Sequence, residues 1–318
     1  MENLQVQNTV IKYFEKKRED KNCYYVGFKN TNVISIELIK KLEAKGIYKH
    51  TLDKMSYKGR AIDIDLINPI TGRLMTGSSS GTAINVFWGI NDLGIGTDGG
   101  GSVLAPALSL NLYGFISPLI DFDHMKKYEK ESTDGIKFTP SIGFISKDIE
   151  KLAYIIDASI EMDKEPLKKD LDLILSKAKI SYHNNLYERF KKEIYYREEL
   201  ELTYKGLDRR LMIKELGEID FDSSILISFE GPIDIFGYGD SVLGHYSTYT
   251  RQIQEYGHKY YLKVINMLNL SAFVIPSEDL ALGCLIVCKS EPSYIRAALD
   301  LSRSIDFKRS KLEEEYFS

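Results

Sequence analysis

The chain has 318 residues, of which 43% are hydrophobic and 28% charged, so it can bury a substantial core as a soluble globular protein. Its 42 basic and 46 acidic residues leave a formal net charge of -4, which gives no general reason to expect nucleic acid or an anionic membrane as a partner. The first residues hold no apolar signal core, and no later segment approaches the ~20 apolar residues that span a bilayer, which favours a cytoplasmic location.

The first fifty residues predict a helix, a strand and a second helix. Apolar residues recur at helical intervals over 3–20 and over 33–46, and the second run closes on Gly46, a common residue at helix ends. Between these runs, the segment CYYVGFKN at 23–30 has the character of a short strand.

The remaining segments alternate between helical and strand-like patterns. Residues 145–160 predict an amphipathic helix with Ser146 as its N-cap, and the densely charged residues 164–216 predict a solvated helical hairpin. The last third predicts a buried strand at 223–232, two strands joined by a proline-containing loop within 271–290, and a closing helix at 294–305.

This alternation, with no internal repeat, predicts an α/β fold in which helices cover a sheet. No clean boundary divides the sequence, so we expect one domain over 1–318 with a charged helical segment at about 164–220. The cysteines Cys23, Cys284 and Cys288 are an odd number without metal-ligand spacing, and we expect buried thiols that act as small hydrophobic side chains. We expect no metal and no cofactor.

The segment TGSSSGTAINVFWGINDLGIGTDGGGS, residues 76–102, is rich in glycine and serine. Glycine loses the most conformational entropy on folding, so the run Gly99, Gly100 and Gly101 is expected only where the backbone adopts unusual dihedral angles or approaches a ligand. The apolar residues inside the segment are not typical of a flexible linker. The segment is therefore a candidate functional site, and three interpretations of it differ in chemistry.

One interpretation is a dinucleotide-binding loop. Residues 94–99 fit the pattern G-x-G-x-x-G, and Asp121 follows about 20 residues later, as the fingerprint requires. However, the pattern should follow a strand at the start of a βαβ unit, whereas a loop and a predicted helix precede it here. Asp98 would also bring a carboxylate next to the pyrophosphate.

A second interpretation is the nucleophile elbow of an esterase. Residues 77–81 fit the pattern G-x-S-x-G, with Ser79 as the nucleophile before a helix. The mechanism would also need an acid and a histidine downstream, for which His245 and His258 are available. Neither histidine lies in a stretch that resembles a loop at a strand end, and the second glycine cluster is left unexplained.

Taken together, the two clusters T-G-S-S-S-G and G-T-D-G-G-G-S resemble the two halves of the amidase signature, usually close to G-G-S-S-G-G-S followed by G-T-D-x-G-G-S. In that family the first serine of the first cluster and the last serine of the second are catalytic. They lie 24 positions apart, as Ser78 and Ser102 do here. Two clusters at a fixed interval are much more specific than one glycine pattern.

The resemblance to the amidase signature family extends over nearly the whole chain, with 164–220 the least similar segment. Upstream, GFKN at 27–30 is similar to a strand end that supplies a catalytic lysine in the family. Residues 68–81 are similar to the asparagine-proline loop that leads into the first cluster. The segments 141–160 and 269–290 resemble the family's Asp-bearing helix and its asparagine-leucine loop with paired strands.

The resemblance implies a single α/β/α domain with a mixed central sheet, and an amide hydrolase that acts through a serine acyl-enzyme. It implies that Ser102 attacks the amide carbonyl, that Ser78 relays the proton and that Lys29 is the base. It also implies a cis peptide bond between Gly77 and Ser78.

The resemblance further implies an oxyanion hole that consists of backbone N–H groups, which would explain why side chains are absent from the glycine run. In this chain those N–H groups belong to Gly99, Gly100, Gly101 and Ser102. The hydroxyls of Ser79 and Ser80 would hold the loop by hydrogen bonds.

A lysine that acts as a base must be neutral, whereas the reference pKa of ~10.4 leaves it protonated at neutral pH. Lys29 must therefore be desolvated or lie near other donors, and the apolar flank YYVGF favours burial. Only 49 positions separate Lys29 from Ser78, fewer than is normal in the family, because the loop between them is shortened. Lys49, Lys54 and Lys58 are the alternative bases.

Several residues depart from the family pattern: Thr76 and Ser80 replace glycines of the first cluster, and Leu104 stands where the family often has an arginine. We expect a small-molecule or peptide-like amide as the substrate, with no nucleic-acid or membrane partner, and the oligomeric state is open. Two alternatives remain. One is a catalytically silent relative that binds an amide-bearing ligand or a partner protein, and the other is an acyl transferase or cyclising enzyme with the same acyl-enzyme.

Overall fold

One sheet of eleven strands runs through the computed structural model, which describes residues 8–15, 23–132, 134–162, 167, 169–202, 208–305 and 315. Two small sheets of two strands each accompany it. The strands in chain order are β1 (Val10–Tyr13), β2 (Tyr24–Lys29), β3 (Ile47–Asp53), β4 (Ile62–Ile67), β5 (Leu74–Thr76), β6 (Leu93–Asp98), β7 (Tyr113–Ser117), β8 (Lys130–Glu131), β9 (Lys137–Phe138), β10 (Ser141–Ser146), β11 (Asp172–Ser176), β12 (Glu198–Leu200), β13 (Ser224–Glu230), β14 (Ser271–Pro276) and β15 (Gly283–Cys288).

Helices connect most of these strands. The α-helices are α1 (Ile36–Glu43), α2 (Ser80–Phe87), α3 (Leu104–Leu108), α4 (Phe122–Met125), α5 (Ile149–Ser159), α6 (Asn184–Glu193), α7 (Arg209–Gly217), α8 (Ser241–Gly244), α9 (Thr248–Glu255) and α10 (Pro292–Ser304). Short 3₁₀ turns lie at Tyr57–Gly59, Lys126–Tyr128, Ser181–His183, Tyr261–Lys263 and Ile265–Leu268.

The strand order in the large sheet is β1-β3-β2-β6-β10-β7-β14-β15-β13-β11-β12. The strand β2 pairs in parallel with β3 and β6, and β11 pairs in parallel with β12 and β13. The other neighbours in this sheet are antiparallel. The sheet is therefore mixed, and the carboxyl ends of β2 and β6 lie at the same edge of it.

Alternating side chains of the strands fill two separate cores, one on each face of the sheet. In β15, Cys284, Ile286 and Cys288 pack into one core, whereas Leu285 and Val287 pack into the other. Helices α1, α5 and α10 contribute to the first core, and α2, α3 and α7 contribute to the second. This arrangement confirms the predicted α/β fold with a mixed central sheet between helical layers.

Most elements predicted from periodicity are confirmed, including β2, α1, β13, the pair β14 and β15, and α10. The proline of the predicted loop, Pro276, is the last residue of β14. Cys284 and Cys288 are free and fully buried, as predicted, whereas Cys23 is only partly buried. No helix in the described ranges has the length and apolar character that crossing a membrane requires.

The predicted helix over 3–20 is wrong where the structure describes it. Residues 10–13 form β1, which pairs antiparallel with β3 at the edge of the sheet, so inter-strand hydrogen bonds override the helical spacing. Residues 3–7 and 16–20 of that prediction lie outside the described residues.

The predicted helical hairpin over 164–216 is also wrong in part. Helices α6 and α7 are present, but β11 and β12 add two parallel strands to the edge of the sheet beyond β13. The run DLILS of β11 is too short to stand out among the charged residues that surround it. Residues 164–166, 168 and 203–207 lie outside the described residues.

The N-cap of α5 differs from the predicted Ser146, which is the last residue of β10. The cap is Asp148, whose side chain accepts hydrogen bonds from the N–H groups of Glu150 and Lys151. The Ser146 hydroxyl accepts a bond from the Asp148 N–H at 3.0 Å and so stabilises the turn before the helix.

Candidate active site

Both glycine-serine clusters connect a strand to a helix. The first cluster follows β5, and the peptide bond between Gly77 and Ser78 is cis, as the resemblance implies. The second cluster follows β6, which ends at Asp98, and leads into α3. Because β2 and β6 are parallel neighbours, Lys29 at the end of β2 lies beside this second cluster.

The Lys29 amine and the Ser78 hydroxyl form a buried pair. The Nζ atom of Lys29 lies 2.7 Å from Ser78 Oγ, 3.0 Å from Thr97 Oγ1 and 3.1 Å from the Thr97 carbonyl oxygen. Both Lys29 and Ser78 are only 3% exposed. The predicted closeness of this lysine and this serine is confirmed, although the interval between them is short.

Burial also changes the protonation of the lysine. Desolvation lowers the pKa of Lys29 to about 7, although the Asp98 carboxylate acts in the opposite direction. Near neutral pH, a large fraction of the amine is therefore neutral. A neutral amine can donate its two N–H groups to the Thr97 oxygens and accept the Ser78 hydroxyl proton with its lone pair.

The alternative bases Lys49, Lys54 and Lys58 make other contacts. Lys54 Nζ lies 2.9 Å from Asp65 Oδ2 in an exposed ion pair. The amines of Lys49 and Lys58 lie over aromatic rings at 5.2 and 5.4 Å from the ring centres. Lys29 is the lysine that contacts Ser78.

Ser102 is half-buried, and its carbonyl oxygen accepts a hydrogen bond from the Ser79 N–H at 3.1 Å. This bond joins the two clusters through their backbones. The Ser79 hydroxyl is buried against Gly96 and has no hydrogen-bond partner in the described ranges, whereas the Ser80 hydroxyl donates to Asp63 Oδ2 at 2.6 Å. Ser80 therefore holds its loop through the side chain, and Ser79 does so through the backbone.

The buried carboxylate of Asp98 organises the glycine run, a role that the sequence did not reveal. It accepts five hydrogen bonds at 2.6 to 3.2 Å, from the N–H groups of Gly100, Gly101, Val103 and Leu104 and from the side-chain amide of Asn266. Burial raises the pKa of Asp98, whereas the backbone donors and the nearby Lys29 amine oppose that rise. The available signal was the position of this carboxylate directly before three glycines, whose bare amides it can reach.

Fewer backbone N–H groups are available for an oxyanion hole than the sequence predicted. The N–H groups of Gly100 and Gly101 already donate to Asp98 Oδ1, at 3.0 and 2.6 Å. Those of Gly99 and Ser102 make no hydrogen bond within the part of the chain that the structure describes. These two amides, rather than all four, are the candidates to bind a developing negative charge.

The other two interpretations of the segment do not fit the structure. Gly94 and Gly96 lie inside β6, where a Cβ atom would come within 2.5 Å of Thr82 Cγ2 and 2.4 Å of Ser79 Oγ, respectively. They therefore bring α2 close to the sheet and do not form a phosphate-binding loop. Ser79 is 0% exposed, which does not suit the nucleophile of an esterase elbow.

The chain is similar to known proteins in part of its sequence and in its fold. The sequence over residues 67–192 matches the Amidase family. A glutamyl-tRNA(Gln) amidotransferase subunit from Thermotoga maritima has a similar structure, with a TM-score of 0.62 and 15% identity over 91% of this chain and 85% of that one. The chain is therefore similar to the Amidase family over residues 67–192, and it shares the fold of this structure.

Other amidase-signature structures are similar in fold at low sequence identity. Allophanate hydrolase from Kluyveromyces lactis has a TM-score of 0.59 and 13% identity, covering 88% of this chain and 61% of its own. A 6-aminohexanoate cyclic dimer hydrolase has a TM-score of 0.58 and 12% identity, covering 91% and 86%. No curated protein sequence matches the chain. The match of residues 67–192 to the Amidase family supports amide hydrolysis in general.

A cavity of about 640 Å³ opens beside the glycine run. Gly100 forms part of its wall, and the segment that includes α8 and α9 forms much of the remainder. This volume lies within the usual range for small-molecule sites. The sequence does not predict this wall, because neither α8 nor α9 carries a motif of the amidase signature.

A buried ion pair is hydrogen-bonded to the first glycine-serine cluster. Lys259 Nζ lies 2.7 Å from Asp234 Oδ2, and each side chain is 4% exposed. The Thr76 hydroxyl donates to the same Asp234 oxygen at 2.7 Å, and the Ala61 carbonyl accepts from both Lys259 Nζ and the Gly77 N–H. Thr76, a departure from the family's glycine, therefore connects the cis peptide to this ion pair.

Proposed function

We propose that the protein hydrolyses a small-molecule or peptide-like amide, at a carbon–nitrogen bond other than a peptide bond, through an acyl-enzyme on Ser102. The observation that carries the proposal is the buried 2.7 Å contact between Lys29 Nζ and Ser78 Oγ. A buried lysine with a pKa near 7 can exchange protons at neutral pH, which a surface lysine cannot do efficiently.

In the proposed acylation step, Ser102 Oγ forms a bond to the amide carbonyl carbon. The Ser102 proton passes to Ser78 Oγ as the Ser78 proton passes to Lys29 Nζ. The C–N bond then breaks, and the leaving amine takes a proton back from Lys29 through Ser78. Water repeats the sequence on the ester and releases the acid.

The proposed oxyanion site uses the N–H groups of Gly99 and Ser102. Both amides lack a protein acceptor in the described ranges, whereas the neighbouring amides are held by the Asp98 carboxylate. Preorganised donors of this kind stabilise the tetrahedral intermediate because they need no rearrangement as the charge develops. Asp98 contributes indirectly, since it fixes the loop that presents them.

A fluorophosphonate probe tests the proposal without knowledge of the substrate, because it reacts with activated serines. We expect the wild-type protein to be labelled at Ser102 and the Ser102→Ala variant to be unlabelled. Ser304→Ala, on the exposed side of α10, is the matched control and should label like the wild type. A folded wild-type protein that is not labelled would favour the silent binding protein, and labelling at Ser79 would restore the elbow mechanism.

A further inference from the structure

The cavity beside the glycine run has a strongly basic lining. Arg209, Arg251 and Lys263 line it, and Asp134 is the one acidic residue among the described residues of its wall. Asp134 is occupied, because Arg209 forms a forked pair with it at 2.6 and 2.8 Å. The lining therefore carries an excess of positive charge in a space beside Gly100, two residues before the candidate nucleophile Ser102.

The Arg209 guanidinium and the backbone of Lys263 lie close to the glycine run itself. A Cβ atom on Gly100 would be 3.7 Å from Arg209 Nη1 and 3.5 Å from the Lys263 carbonyl oxygen. Burial lowers the pKa of Lys263 to about 7, so its amine is only partly charged at neutral pH and would gain charge beside an anion. An anion in the cavity would thus be favoured beside Gly100, in the loop that leads to Ser102.

Arg251 is the cation best suited to a ligand. It lies on α9 at the cavity wall, it is exposed, and it forms no ion pair with any residue that the structure describes. Its planar guanidinium can bind a carboxylate through two parallel hydrogen bonds. The Arg209 guanidinium, in contrast, is already engaged by Asp134.

We propose that the cavity binds the carboxylate of a small amide substrate, with Arg251 as the main contact and the amide carbonyl at Ser102. The substrate class is therefore a monoamide of a short dicarboxylic acid, or a similar amide with a carboxylate a few bonds from the scissile carbonyl. The inference rests on the proposed function, and it specifies that the amide to be hydrolysed also carries a carboxylate. We choose a carboxylate as the anion because the proposed reaction acts on acyl groups, and because a planar guanidinium matches a carboxylate through two hydrogen bonds.

The test measures binding and needs no catalysis, so its failure differs from a failure of the proposed function. Isothermal titration of the Ser102→Ala protein uses succinamate as the probe and 4-methylpentanamide as its uncharged isostere. We expect succinamate to bind at least about 10-fold more tightly than the isostere. Arg251→Gln in the Ser102→Ala protein should weaken the binding of succinamate by about 10- to 100-fold, as expected for the loss of a charged hydrogen-bonded contact.

The matched control is Arg296→Gln on α10, which lies outside the cavity lining and should not change the affinity. Arg251→Lys should bind succinamate more tightly than Arg251→Gln but less tightly than Arg251, because lysine keeps the positive charge and lacks the two parallel N–H donors of the guanidinium. Equal binding of the two probes, no binding of either, or an unchanged affinity in Arg251→Gln would each overturn the proposal. Inorganic phosphate that binds more tightly than succinamate would overturn the assignment of a carboxylate.

Discussion

Lys29→Met tests the central feature of the site, because methionine keeps an apolar stem of similar length and removes the amine. In the wild-type protein, with the pKa of Lys29 near 7, the neutral fraction rises about tenfold between pH 6 and pH 8. We expect acylation at Ser102 to rise by that factor and then to level off. The variant should lose about 10²- to 10⁴-fold in rate and show no such rise.

The same substitution should change the pH dependence of stability. An unfolded Lys29 binds its proton below pH 10.5, whereas the folded one releases it above about pH 7. Between these values the unfolded state binds more protons, so the free energy of unfolding of the wild type increases with pH. Lys29→Met should therefore be more stable at pH 7, by up to about 5 kcal/mol, and this advantage should shrink towards pH 10.5.

The assay is the rate of fluorophosphonate labelling from pH 5.5 to pH 9.5, with urea unfolding at pH 7 and pH 9.5. A pH profile alone does not identify the base, because the ordinary histidine pKa of ~6.5 is close to the value for Lys29. His245→Gln and His258→Gln are therefore measured in parallel and should label normally. If Lys29→Met labels at the wild-type rate while a histidine variant does not label, the Ser-Ser-Lys mechanism is refuted.

Two further predictions concern how the loops are held. Gly101 has a φ of +92°, and a Cβ atom there would be 2.3 Å from Leu262 Cδ1. Gly101→Ala should therefore lower the free energy of unfolding by about 2 kcal/mol or more and abolish labelling by the fluorophosphonate probe. Gly100→Ala, whose Cβ would have no neighbouring atom nearer than 3.5 Å in the described structure, should melt close to the wild type, and equal losses in both variants would contradict this explanation. Thr76→Val removes the hydroxyl that donates to Asp234. It should lower the free energy of unfolding in urea by about 1 kcal/mol and slow the labelling of Ser102. An unchanged labelling rate would show that the hydroxyl does not position the loop.

The resemblance to the amidase signature predicted the parts of the site that lie next to strand ends. It rests on the interval between the two serines and on the strand before Lys29, and it implied the cis peptide bond and the contact between Lys29 and Ser78 that the structure has. Both features arise within or next to a strand end, where backbone direction fixes the side chain. The catalytic roles of these residues remain predictions.

The features that the sequence did not predict depend on distant partners. The strand β1 has the periodicity of a helix and becomes a strand because β3 offers an open edge. The strand β11 is a five-residue run whose pairing with β13 cannot be read from its own composition. The cavity wall near Arg251 approaches Gly100 across about 150 positions of sequence, and no local pattern signals that approach.

Asp98 explains how the site reconciles two opposing requirements. The glycine run needs a carboxylate to hold its amides, whereas Lys29 needs an environment that disfavours its charge, and a nearby carboxylate raises the pKa of the lysine. In this chain the donors around Asp98 are neutral: backbone amides, including that of Leu104, and the side chain of Asn266. The lowered pKa of Lys29 then comes mainly from burial, its largest cause, with a smaller contribution from the Lys130 amine. Water that entered beside Lys29 would therefore impair the site more than the loss of any single hydrogen bond to Asp98.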